Sequence, residues 1–199
     1  MTDITAATVS TWSMFRSAEF NGRTWYGGPI TWLAGFRWIE WDDRMSISAT
    51  DTTDSTSQFD ATAGNNLYGA QLGADVAFWN AQSFIRVDGI AKGGVYYNRA
   101  AYQRTDAVSA DPFGAVTPLG SAAAAADTVS FMGEVGVNAS VAVTRWLSWR
   151  AGYSVFWLAG VATAPQQFAV SDISAGTGTI DTDGSVLLHG VTTGLEARW

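Results

Sequence analysis

Few side chains in this sequence have the types and spacing that catalysis or metal binding requires. His189 is the only histidine and there is no cysteine, so thiolate clusters and disulfides are excluded. A Ser–His–acid hydrolase needs a nucleophile and a carboxylate around its histidine. However, HGV offers no adjacent serine, and His189 shares its parity with apolar neighbours near one predicted rim. The DTDG at 181–184 lacks the spaced acids and closing glutamate of a calcium loop. We therefore predict no enzyme, no metal site and no cofactor.

Polar side chains instead recur at alternate positions inside apolar segments. Because successive side chains of a strand point to opposite faces, these residues are predicted to share one face that looks inward. Asp75 and Arg86 flank a tight turn almost symmetrically, so we expect them to face each other on neighbouring strands, as we also expect of Glu19 and Arg37. The predicted inward set comprises Glu19, Arg37, Gln71, Asp75, Arg86, Asp88, Lys92, Glu134, Asn138, Arg150, Glu196 and Arg198.

The segments that carry this set alternate with a period of two, which predicts strands. About seven strands of roughly 10 to 18 residues are expected, against a usual five or six residues, and no helical pattern interrupts them. Short and long connections alternate, as in an up-and-down antiparallel sheet whose two ends differ. We place short turns at 22–28, 80–82 and 144–145, and long, acidic, polar loops at 49–63, 103–126 and 162–185.

Composition bears on what covers the apolar face. Charged residues make up 15% of the chain and the net charge is -7, which argues against a nucleic-acid partner. In a soluble β-sandwich the second face meets water and is rich in Lys, Glu and Thr. Here that face is mostly Gly, Ser and Ala with isolated charges, which suits the small interior of a membrane barrel.

Aromatic residues on the apolar face support this interpretation. Their spacing of eight to ten residues corresponds to about 21–26 Å of height at a typical strand rise and tilt, close to the apolar band of a membrane barrel. The final strand alternates up to Trp199, like an assembly signal of outer-membrane barrels. We predict an all-β, transmembrane, up-and-down antiparallel barrel with an aromatic girdle and assembly signal formed by Trp32, Trp38, Tyr68, Phe78, Trp149, Trp157 and Trp199.

The chain resembles the porin-7 family of outer-membrane β-barrel proteins in four ordered blocks: ITWLAGFRWIEWDDRMSIS, NNLYGAQLGADV, VNASVAVTRWLSWRAGYSVFWLAGVA and LLHGVTTGLEARW. The resemblance extends from about residue 12 to 199, the loops excepted. It implies a bacterial outer-membrane location, with the lipid bilayer and the outer-membrane assembly machinery as partners, and it implies no catalytic residues. The start MTDITAATVS lacks an export signal, and an even strand count needs at least one more strand, either upstream or formed from Thr2 to Ser10. We therefore expect residues 1–199 to form one barrel domain of an N-terminally truncated member.

Two roles remain open for such a barrel. If the inward charges line a water-filled pore, the protein is porin-like and passes small solutes by passive diffusion. If they pair and fill a narrow interior, the barrel is a structural anchor for surface presentation, with acidic loops on the extracellular side. The alternative class is a soluble, Trp-rich β-sandwich that binds carbohydrate like a lectin.

Overall fold

Seven long antiparallel strands in one sheet make up most of the chain. The computed structural model describes residues 4–25, 28–81, 84–109, 116–173 and 176–197. The seven strands are β1 (Ile4–Trp25), β2 (Ile30–Asp51), β3 (Thr56–Ala81), β4 (Ile85–Ser109), β5 (Val116–Ala142), β6 (Leu147–Val161) and β9 (Gly184–Ala197). They neighbour one another in sequence order, β1-β2-β3-β4-β5-β6-β9. The predicted all-β, up-and-down fold is confirmed.

A short insertion lies between β6 and β9. It contains the helix α1 (Ala164–Val170) and a small hairpin of β7 (Ser171–Asp172) and β8 (Thr177–Gly178). The prediction that 162–185 is a polar loop is therefore wrong for this helical turn and hairpin. The periodic signal of a helix needs more than the seven residues of α1 to stand out.

The first five strands are longer than the sequence predicted, at 22 to 27 residues each. The stretches 49–63 and 103–126, predicted as loops, largely continue the strands. In the alanine run, Ala122 pairs with Arg104 and Ala126 with Ala100 on the β4–β5 ladder. The prediction failed because small and polar residues occupy both faces there, so no apolar alternation marks the strand. We call this end of the sheet the hairpin end, and the end with the β3–β4 and β5–β6 connections the short-turn end.

The sheet curls around an interior. Adjacent strands lie about 4.8 Å apart, so β1 and β6 of a flat sheet could not touch, yet the rings of Phe15 (β1) and Phe156 (β6) have centroids 5.6 Å apart. A buried apolar cluster lies in this interior toward the hairpin end, formed by Ile39, Trp41, Leu67, Tyr96, Met132, Leu158 and Val161. The curl therefore gives the wall one inner and one outer face.

The wall has two edges, β1 and β9. Within the described ranges, no hydrogen-bonded ladder joins them. Both strands run from the hairpin end toward the short-turn end, since Ile4 lies opposite Asp51 and Gly184 opposite Val161. Any direct pairing of the two edges would thus be parallel.

Candidate functional site

The two faces of the wall are inverted relative to a soluble protein. On β3, Leu72 is 68% exposed while the neighbouring Gln71 is 2% exposed; on β5, Val135 is 56% exposed while Glu134 is 8% exposed. Large exposed apolar patches are rare on soluble monomers and signal a partner or a membrane. We call the outward apolar residues in the cross-strand rows from that of Trp38 to that of Trp149 the outer belt.

The outer belt ends abruptly toward the hairpin end. Cross-strand register aligns its last apolar row as Trp38, Tyr68, Tyr97 and Val129. The next outward row is Arg16, Glu40, Asn66, Arg99 and Asp127. Within that row an exposed ion pair joins Arg16 to Glu40 at 2.9 Å. The outer face therefore changes from aromatic to charged within a single step of the pleat.

The remaining predicted aromatic residues also point outward. Trp32, Phe78, Trp149 and Trp157 are exposed on the outer belt, and exposed Trp79, Phe84 and Trp146 add further aromatic side chains at the short-turn end. Trp199 and Arg198 lie outside the described residues, and the side chain of Glu196 on β9 is likewise not described. By register, Trp38 and Tyr68 lie in the last apolar row toward the hairpin end, and Trp149 lies near the short-turn end. Trp32 shares a row with Val135 and Trp157 shares one with Leu72, so these two lie within the belt.

Polar atoms within the outer belt find partners across strands. The Tyr153 hydroxyl and His189 Nδ1 are 2.6 Å apart, and Trp149 Nε1 donates to Thr193 Oγ1 at 2.9 Å. His189 lies opposite Val155, halfway along the belt and not near a rim as the sequence suggested. The partner of His189 Nδ1 is therefore a tyrosine hydroxyl on the outer face of the sheet.

The centre of the interior holds an ionic cluster, which we define as Glu19, Arg37, Gln71, Lys92 and Glu134. Arg37 Nη1 donates to Glu134 Oε2 at 2.6 Å, and Lys92 Nζ lies 2.8 Å from Glu19 Oε1 and 3.3 Å from Glu134 Oε2. Gln71 Nε2 donates to Glu19 Oε2 at 2.8 Å. Two acids and two bases therefore neutralise one another around an amide.

Register and small residues explain how the central ionic cluster forms. Glu19 faces Arg37, as predicted, and Lys92 faces Glu134 on adjacent strands. Gly69 and Gly94 leave room for the Tyr96 ring, because a Cβ at either position would lie under 3 Å from that ring. The ring thus closes the cluster on its hairpin side, and the Tyr96 hydroxyl donates to Gln71 Oε1 at 3.4 Å.

A second set of charges lies toward the short-turn end. Asp75 pairs with Arg23 at 2.6 Å, and Asp88 pairs with Arg150 at 2.8 Å and with Arg86 at 3.5 Å. The expected pairing of Asp75 with Arg86 is wrong. The ladder continues to Ala81 opposite Ile85, so the β3–β4 turn lies about two residues later than a symmetric Asp75–Arg86 pair requires. Asp75 therefore faces Ile90, and Asn80 faces Arg86.

Two more polar residues lie on the inner face at the short-turn end. Arg23 was missed by the sequence reasoning because it falls in a stretch assigned to a turn, although it belongs to β1. Asn138 is 7% exposed on the inner face of β5, and Gly152 opposite it leaves room for its side-chain oxygen. The inner face thus carries polar side chains below the central ionic cluster as well as within it, and a cavity of about 350 Å³ lies against Asn138 and Arg150.

The hairpin end of the interior is filled by the insertion after β6. We call residues 162–173 and 176–183 the plug segment. Asn65 Nδ2 donates to the Ala162 carbonyl, and the Ala162 amide donates to Asn65 Oδ1, both at 2.8 Å. The Ala164 amide donates to Asp43 Oδ2 at 2.9 Å, and Arg104 Nη1 donates to the Phe168 carbonyl at 3.1 Å. Side chains of β2, β3 and β4 therefore hold the segment from three sides.

Alanines on the inner wall make room for the plug segment. Ala63, Ala100 and Tyr102 form a buried cluster with Ala162, against which Ile180 packs. Ala61 and Ala122 are buried on the same inner face. The small side chains of the alanine-rich stretch of β5 thus help to leave space for the plug segment, which its sequence alone did not indicate.

Comparison with protein-family models, curated proteins and solved structures finds no match for the chain. Of the residues that the structure describes, none belongs to a helix long and apolar enough to cross a membrane. No group of three or more His, Cys, Asp or Glu side chains in those residues is placed to hold a metal ion.

Proposed function

We propose that this protein is a membrane-embedded β-barrel that anchors its long hairpins at a membrane surface, and that its filled interior does not conduct solutes. The inversion of the two faces carries this proposal. Hydrocarbon solvates the outer belt at no cost, whereas water would leave it as a large exposed apolar surface. A soluble lectin-like sandwich would instead bury this face against a second sheet.

The margins of the outer belt support a membrane. Indole and phenol rings favour the interface, where an apolar face and a polar edge are both solvated. Tyr68 and Phe78 are ten residues apart on β3, or about 26 Å of height at a tilt near 40°. The charged row beginning with Arg16 and Glu40 then falls at headgroup level. Cross-strand bonds such as Tyr153–His189 spare polar atoms from unpaired exposure to lipid.

The central ionic cluster favours an anchor over a porin-like pore. The side chains of Arg37 and Glu134 are 5% and 9% exposed and in direct contact across the interior. A water-filled channel needs a continuous path, and here paired charges and the plug segment occupy it. Paired, neutralised charges also give no net field that would select an ion.

The hairpins would be the presented part. From Glu40 to Asp51 on β2 the strand continues about 30 Å beyond the belt at ordinary rise and tilt, and β3, β4 and β5 extend with it. We place the protein in a bacterial outer membrane, as the porin-7 resemblance implies, with lipid and the assembly machinery as partners. In hydrocarbon the β1 and β9 edges must also be paired.

Detergent dependence tests this proposal. We expect the refolded chain to give a β-rich circular dichroism spectrum and a monodisperse peak only with micelles or bilayers, and to migrate faster on a gel before boiling than after. Planar-bilayer recordings should show no steady conductance. A folded, monodisperse protein in plain buffer would overturn the membrane assignment, whereas stable ohmic channels would overturn only the anchor.

A further inference from the structure

The described hydrogen bonds that attach the plug segment to the wall are made by its first residues and by one residue of α1. The Asn65 pair holds Ala162 and the Asp43 carboxylate holds Ala164, both at the start of the segment. The hydrogen bond to the wall farthest from this start is made by Arg104, whose guanidinium donates to the Phe168 carbonyl and lies 4.6 Å from the centroid of the Phe168 ring. Beyond it the segment meets the wall by packing, with Ile173 against Gly120 and Gly178 against Tyr102.

Arg104 is itself fixed by a carboxylate. Its Nε and Nη2 atoms donate to the two carboxylate oxygens of Asp106 at 3.0 and 2.8 Å. On the inner face of β4, Asp106 is buried and Arg104 is half-buried. This bidentate pair holds the planar guanidinium in one orientation, so the ring and carbonyl of Phe168 meet a preformed site.

The plug segment is bonded to itself as one body. Gln167 Nε2 donates to the carbonyls of Asp181 and Thr163, and the Asp181 amide donates back to Gln167 Oε1. Gly160, just before the segment, has a φ of +80°, a value that side chains disfavour but glycine tolerates. Helix α1 and the return to β9 are thus cross-linked by hydrogen bonds, with a glycine at the point of entry.

The docked position leaves polar atoms without partners. Within the described part of the chain, Tyr102 OH, Asn98 Oδ1 and Trp41 Nε1 are buried and make no hydrogen bond. Tyr102 OH lies against Gly178 of the plug segment, where a Cβ would not fit, and Asn98 bonds the Gly160 carbonyl only through its Nδ2. Burying the unpaired Tyr102 hydroxyl against Gly178 opposes docking, and undocking would let water reach it.

We propose that the plug segment is a gate that opens as one body while the wall stays folded, with Arg104 as its latch. Opening pivots on the Ala162–Asn65 contact and exposes the alanine-lined half of the interior to solvent at the hairpin end. Because Tyr96 and the central ionic cluster lie below this recess, the open state is a cup and not a channel. The gate does not depend on the membrane assignment.

Hydrogen exchange of the full chain in its folding medium tests the gate. We expect the amides of α1 and of Asp181 to exchange at least tenfold faster than those of β4 between Asn98 and Asp106, with little dependence on added denaturant. Arg104→Gln should accelerate the plug amides about tenfold more and leave the β3 and β4 amides unchanged. Gln103→Ala, on the outer face of the same strand, is the matched control and should change neither.

Two results would overturn the gate. In one, the plug and β4 amides of the unaltered protein exchange at the same rate and with the same denaturant dependence. In the other, Arg104→Gln accelerates the wall amides as much as those of the plug. Should Arg104→Gln fail to fold, Phe168→Leu removes the ring contact and leaves the wall intact. It is expected to accelerate the plug amides threefold or more, and unchanged rates there would count against the latch.

Discussion

Arg37 on β2 and Glu134 on β5 meet at 2.6 Å, although they are 97 residues apart and two further strands separate them in the sheet. On a flat sheet their strands would be about 14 Å apart. The contact therefore depends on the curl of the wall, and the curl in turn brings both charges out of water. One ion pair thus reports both the shape of the sheet and the filling of its interior.

Replacing only one partner of the Arg37–Glu134 pair should lower the free energy of unfolding. Arg37→Met leaves Glu134 buried with only Lys92 as a cationic partner, so we expect a loss of about 3 kcal/mol in the free energy of unfolding. The double variant Arg37→Met with Glu134→Leu removes both charges and should cost less than the single variant. Urea unfolding in micelles measures both. A double variant that is less stable than Arg37→Met would show that the pair itself, and not the stranded charge, contributes the stability.

A charge on the outer belt should separate lipid from water as its surroundings. Val135→Arg places a guanidinium near the middle of the belt and is expected to cost about 2–4 kcal/mol in a bilayer. Gln103→Arg, outward on β4 above the belt, is the control and should change stability by less than about 0.5 kcal/mol. Refolding into vesicles at graded urea gives both values. Equal, small effects would place Val135 in water.

The alternation of apolar and polar residues was enough to predict the strands. It could not predict which residues pair across strands, because it depends only on neighbours in sequence. The parity of β3 and β5 predicts which of Leu72 and Gln71, or Val135 and Glu134, faces outward, because the two faces differ in chemistry. The strand extensions toward Asp51 and through Ala122 carry no such contrast, so their sequence gave no signal. The pairing of Asp75 depended on the exact position of the β3–β4 turn, because a shift of two residues in the turn moves the partner of Asp75 by four.

The plug segment was beyond sequence reasoning for a different reason. Its anchors Asn65 and Arg104 lie 97 and 64 residues before Ala162 and Phe168, the positions that they hold. Helix α1 has seven residues, about two turns, so the sequence shows no helical periodicity of apolar residues there. The sequence shows the alanine run that faces the plug segment, but a run of alanines is compatible with a helix, a strand or a loop.

Acid should loosen the β2–β3 hairpin tip. The hydroxyl and amide of Thr53 and the amide of Ser55 donate to Asp51 Oδ1, and these bonds lower the pKa of Asp51 below its usual value. Because the folded pKa is the lower one, the stabilisation is present above the unfolded pKa of about 3.9 and is lost as pH falls through the folded value. Amide exchange at Thr53 and Ser55 should therefore rise below about pH 4 relative to its intrinsic rate. In Asp51→Ala these amides should already exchange fast at pH 6, with no further acid step.

Filling the recess under the plug segment should displace it. Ala63 is 1% exposed and packs on Ala162, so Ala63→Leu has no free volume to occupy and is expected to cost about 1–3 kcal/mol by overpacking. Ala70→Leu, on the outer face of the same strand, is the matched control and should be nearly neutral. Because fewer hydrogen bonds hold the plug segment to the wall than hold the strands to one another, the plug segment should detach before the strands unfold. Chymotrypsin would then cut Ala63→Leu after Phe168 faster than the unaltered chain, while the strands remain intact. Cleavage at the aromatic residues of β3 would instead show that the wall itself yields.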